Sequence, residues 1–136
     1  PLPGGEADAL GAFLDQALPL AGELEGLCSA VMEKVYRTDD PAAAETDLRE
    51  LADTLDRLAA IPAPETDFGG EWYQLYSTFL AQYQAALQEG VEQLDQGADL
   101  YELMEERSNG LNSAVQQAWQ MLFPILENLR AAYEVL

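Results

Sequence analysis

The stretch from Phe68 to Leu94, FGGEWYQLYSTFLAQYQAALQEGVEQL, leaves the chain few folds to choose from. Six of the twelve aromatic residues fall between Phe68 and Tyr83. At about 100° per residue, Trp72, Tyr76, Phe79, Tyr83, Leu87 and Leu94 share one face of a helix. Ser77, Thr78, Gln84, Gln88, Glu92 and Asp95 share the opposite one. So bulky a ridge has to be covered along its length by other helices.

The rest of the chain supplies the cover. Leu10, Leu14, Ala17, Ala21, Leu24, Cys28, Val31 and Val35 repeat in alternating steps of three and four, the seam of a bundle helix over 6–36. Asp40 before Pro41 reads as an N-cap followed by a proline at the first helical position. A second helix over 41–60 then buries Ala44, Leu48, Leu51, Leu55 and Leu58. On its outer side Glu45, Arg49, Asp53 and Arg57 form an i,i+4 ladder of opposite charges. Pro62 and Pro64 forbid its continuation. The aromatic helix spans 70–96. Gly97 can take the left-handed position that closes it, and Asp99 with Glu102 has capping-box spacing. A fourth helix follows over 100–135, with Met104, Leu111, Val115, Ala118, Leu122, Ile125, Leu129 and Tyr133 in one phase. Ser108-Asn109-Gly110 offers a competing break, set aside because the phase runs through it.

Short connections make neighbours antiparallel. The reading is an all-α, up-down-up-down four-helix bundle over 6–136, with 1–5 as a flexible tether. No strand pattern is present. Pro19 and Pro124 both point outward, where water can satisfy the freed carbonyls, so the first and last helices are expected to bend. The second helix is the shortest. The first and last helices should bend together to close over the gap it leaves, with Phe13, Phe68, Trp72, Tyr76, Phe123 and Tyr133 filling it.

Charge narrows the partners. There are 25 acidic residues against six basic, a formal net charge of −19. Such a surface repels nucleic acid and anionic lipid. The acids read as spread over all the helices, which favours a soluble monomer over a mimic of DNA. No apolar run is long enough to span a membrane. The opening Pro1-Leu2-Pro3-Gly4-Gly5 suggests a tether exposed by removal of a leader, hence an extracytoplasmic or lipid-anchored protein.

Chemistry is scarce. No histidine is present, so the usual general base and zinc ligand are missing. Cys28, the only cysteine, lies on a seam and reads as a buried inert thiol. Glu102, Glu105 and Glu106 sit on an outer flank and form no metal pattern. No cofactor is expected. Arg107 and Ser108 interrupt the core-facing side of the last helix. They read either as a snorkelling arginine or as an anchor for a polar ligand near Tyr83, Tyr101 and Asn112.

Two functions follow. The first is a non-enzymatic interaction or scaffold module, its protein partner touching Tyr73 and Trp119. The second is a bundle that binds a small molecule in an aromatic-lined cavity, through Trp72, Tyr76, Tyr83, Arg107 and Tyr133.

Overall fold

The structure, a computed structural model, describes residues 4–65 and 70–135. Within them the chain is an all-α bundle: α1 (Gly4–Tyr36), α2 (Pro41–Ala59), α3 (Gly70–Asp95), α4 (Leu100–Glu105) and α5 (Leu111–Glu134). The described residues hold no strand. Helix α1 packs on α2 and α5, and α3 packs on the same two. That is the closed ring expected of up-down-up-down connection. Gly4 and Gly5, expected in the tether, are already helical. Phe68 lies outside the described residues.

The caps are where the residue types put them. The Asp40 carboxylate accepts from the Ala43 N–H at 3.2 Å, and Pro41 opens α2. Gly97 has φ +95° and closes α3. The Asp99 carboxylate accepts from the Glu102 N–H at 3.0 Å to start α4.

The last helix is not one piece, which corrects the continuous 100–135 expected above. Glu106 is extended (ψ 101°), Arg107–Asn109 form a 3-10 turn, and Gly110 takes the left-handed region at φ +72°. Two asparagines hold the joint. Asn109 donates to the Leu103 carbonyl at 3.0 Å and accepts from the Leu111 N–H at 2.9 Å. Asn112 donates to the Met104 carbonyl and to the Tyr36 hydroxyl, both at 2.9 Å. These bonds satisfy backbone groups that a helix break would otherwise leave orphaned. Met104 and Leu111 are both buried across it. Apolar phase therefore reports which side faces the core, not whether the backbone between is helical.

Cross-helix contacts set the antiparallel register. Lys34 pairs with Asp47, Arg49 with Asp95 at 2.7 Å, and Arg130 with Asp15 at 3.2 Å. Arg49 thus reaches α3 rather than completing a ladder along α2. In this register α2 stops level with about Gly22, and α1, α3 and α5 run on past it. In that lower third the diagonal helices meet: Phe13 of α1 lies edge-on to Tyr73 and Tyr76 of α3, at 5.5 and 5.8 Å between centroids. Pro19 and Pro124 are both exposed, and neither interrupts its helix.

The core is leucine-rich. Burying Leu48, Leu51, Leu55 and Leu58 contributes roughly 1.5–3 kcal/mol each before ordering entropy is subtracted. Thr54, buried among them, donates to the Glu50 carbonyl at 2.8 Å. The Tyr76 hydroxyl is buried with no hydrogen-bond partner among the described residues.

Candidate interaction surface

On α3 the buried residues are Tyr76, Leu80, Tyr83, Leu87, Gly90 and Leu94. The ridge is rotated from the one expected: Leu80 and Gly90 enter, Phe79 is half-buried, and Trp72 is 39% exposed. The rotation follows from the neighbours. Helix α2 covers the side carrying Gln84 and Gln88, whose amides donate to Asp56 at 2.8 and 3.2 Å. Helix α5 covers the side carrying Tyr83, whose hydroxyl lies 3.4 Å from the Gln117 side-chain oxygen.

The residues expected to bind a ligand are not brought together. Tyr76 is in the lower core and Tyr83 in the middle. Tyr133 is half-buried, its hydroxyl against Gly11 of α1. Trp72 is at the start of α3 and Arg107 is exposed in the 3-10 turn at the far end. Arg107 therefore does not face the core, because the helix that would have aimed it there is broken. It does line a surface notch of about 340 Å³ with Met104, Glu105, Glu106 and Asn112. Both glutamates are exposed too, and Asn112 is occupied in bridging α4, α5 and Tyr36. Burial, with Glu105 beside it, raises the Tyr36 phenol above its ordinary pKa.

Tyr73 and Trp119 do not share a patch. Tyr73 is half-buried on Phe13 in the lower third. Trp119 is half-buried on the α1 side of α5, stacked on Phe123 at 6.2 Å and lining a cleft of about 250 Å³ with Glu25, Cys28 and Met32. Cys28 is buried as expected, and burial pushes its thiol up to about 11. It is accordingly protonated and unreactive near neutral pH.

A different feature organises the surface. The acids are not evenly spread, which corrects the reading above. From Trp72 through Gln88, α3 carries no charged residue. From Ser108 through Leu126, the chain into and along α5 carries none either. The Tyr83–Gln117 contact sets these two windows side by side. In that register Phe79 is level with Met121, and Leu75 with Ile125. The shared outer face presents Leu75 (42% exposed), Trp72, Gln82 and Gln117. Phe79 and Met121 are half-buried beneath them.

The clefts between helices show the contrast. Between α1 and α2 a cleft of about 530 Å³ is lined by Glu23, Glu50, Asp53 and Arg57. Between α2 and α3 one of about 390 Å³ is lined by Arg49, Asp53, Asp56, Glu92 and Asp95. Between α3 and α5 a cleft of about 390 Å³ has one charged lining residue, Glu89, at its upper end. The missed signal was in plain view. Charge summed over whole helices hides a window that charge plotted by position reveals.

Among the described residues no group of three or more carboxylates and thiols is placed to hold a metal ion, and no helix is long and apolar enough to cross a membrane. Comparison with protein-family models, curated proteins and solved structures finds no match for this chain.

Proposed function

We propose that this chain is a non-enzymatic interaction module whose docking surface is the uncharged face of α3 and α5. The observation that carries the reading is the pair of adjacent charge-free windows on a chain of net charge −19. Solubility favours charge on every exposed helix, and a face without it, with Trp72 and Leu75 exposed, has the make-up of an interface centre. The ligand-binding alternative has less to stand on. The clefts are surface features between helices, whereas small-molecule sites bury most of their ligand. The non-enzymatic part is supported by the lack of histidine and the burial of Cys28, Tyr76 and Tyr83.

A photo-reactive residue at position 75, 82 or 117, introduced in the source cells, tests the face. Adducts should concentrate there, and positions 12 and 42, on the exposed sides of α1 and α2, should give few. Adducts spread equally over both sets, or none from α3 and α5, would overturn the reading.

A further inference from the structure

We infer that the occupant of the α3–α5 face is a second copy of this chain, the two copies meeting face to face about a two-fold axis. The inference rests on the docking reading above and names the partner, in place of the monomer that net charge alone suggests.

Charge selects the partner. A basic protein would gain by meeting acids, and α1 and α2 display them. A neutral protein would tolerate a scattered carboxylate at a rim. A partner that itself carries −19 is the one that needs a face without acids, because each acid placed there would confront others across the axis. The side chains suit self-pairing as well. A glutamine amide both donates and accepts, so Gln82 and Gln117 can bond their own copies in either orientation, which a surface of one charge sign cannot do. Trp72, Leu75, Phe79 and Met121 supply the apolar contact.

Size sets the strength. The window on α3 is about 26 Å long, and two helices packed 8–10 Å apart present a face about 20 Å wide. The footprint is about 500 Å² per copy and about 1,000 Å² in total, the lower edge of specific interfaces. Glu71 and Glu127 bound the face below, and Glu89 of α3 with Arg107 ahead of α5 bounds it above. The copies, each of net charge −19, repel in any two-fold arrangement. Association should therefore be weak at low salt and tighten as salt screens that repulsion, the reverse of a pair held by ion pairs.

Sedimentation equilibrium of the full chain tests this, from about 10 μM to about 1 mM and at about 0.01 M and about 0.5 M salt. The expected result is a monomer–dimer equilibrium at least about tenfold tighter at the higher salt. Leu75→Glu and Gln117→Glu should each abolish the dimer while keeping the circular dichroism of the parent. Ala42→Glu, which adds the same charge on exposed α2, should leave it. Should Leu75→Glu fail to fold, Gln82→Glu makes the same test at a residue outside the core. A monomer throughout, or a dimer lost equally with Ala42→Glu, overturns the second copy as occupant. If the chain stays monomeric yet positions 75, 82 and 117 capture a protein of another mass in cells, the docking face stands and only its occupant is wrong. A monomer that also gives no adducts from this face overturns both.

Discussion

The α1–α2 half and the α3–α5 half of the bundle are alike inside and unlike outside. Both bury an unbroken leucine-rich seam with the same helical period. Outside, Glu23, Glu50 and Asp53 crowd one cleft between α1 and α2, while α3 over 72–88 and α5 up to Leu126 present amides, alanine, Trp72 and Leu75. Folding constrains the inside and leaves the outside free, since a solvated helix face can be charged or amidic at little difference in stability. An asymmetry that folding does not require has another cause, and the proposed docked partner would supply it.

The largest effects should ignore the asymmetry. Leu48 of α2 and Leu122 of α5 are both completely buried. Truncating either to alanine should cost about 2–5 kcal/mol, through lost transfer energy and a residual cavity. Urea unfolding at moderate salt measures both. If Leu48→Ala cost far less than Leu122→Ala, α2 would be loosely attached, and the two halves would differ inside as well as out.

Alkali separates the buried thiol from the buried phenols. Cys28, on α1, binds its proton more tightly in the folded protein, because burial pushes the thiol from 9.0 up to about 11. A raised folded pKa gives stability that is complete below the unfolded value and is lost as pH climbs toward the folded one. The loss from Cys28 should therefore begin near pH 9 and be complete near 11, amounting to about 2–3 kcal/mol. Tyr76 and Tyr83, on α3, are raised by burial from 10.0, with Tyr73 adding to the shift at Tyr76, so their loss begins a unit later. Urea unfolding under reducing conditions between pH 8 and 11 should show Cys28→Ala with a flat response up to about pH 10, where the parent already declines. Equal slopes for parent and variant between pH 9 and 10 would refute the account of the buried thiol.

Much of this architecture was legible because it rests on local chemistry. Asp40 and Pro41 announce a helix start, Gly97 a helix end, and the leucine spacing in α2 its buried side. The orientation of α3 was only partly legible. Which of Trp72 and Leu80 is covered depends on how far α2 reaches, and that is a tertiary fact. Hydrophobic phase is blind to the break before α5. The marks were there as Asn109-Gly110, a side chain that bonds nearby backbone next to a residue free to adopt positive φ. The candidate surface was legible too, but only when charge is followed residue by residue through 72–88 and 108–126.

The smallest effect compares one residue type in both halves. Gly26 lies in α1 beside the cleft facing α2, and a methyl group added there meets nothing within 4 Å. Gly26→Ala should stabilise by about 0.5–1 kcal/mol, by restricting the unfolded chain and raising helix propensity. Gly90 lies in α3, where the same methyl group would sit 3.0 Å from one Leu111 side-chain carbon and 3.1 Å from another. Leu111 is buried, so it can yield only by disturbing the packing between α3 and α5. There the propensity gain is outweighed, and Gly90→Ala should destabilise by about 1 kcal/mol. Melting temperatures of the two variants against the parent read out the signs. Opposite signs place the close packing on the α3–α5 side, as a rigid platform for docking requires. Stabilisation by both would mean that Leu111 moves aside freely and that the uncharged half is no better packed than the acidic one.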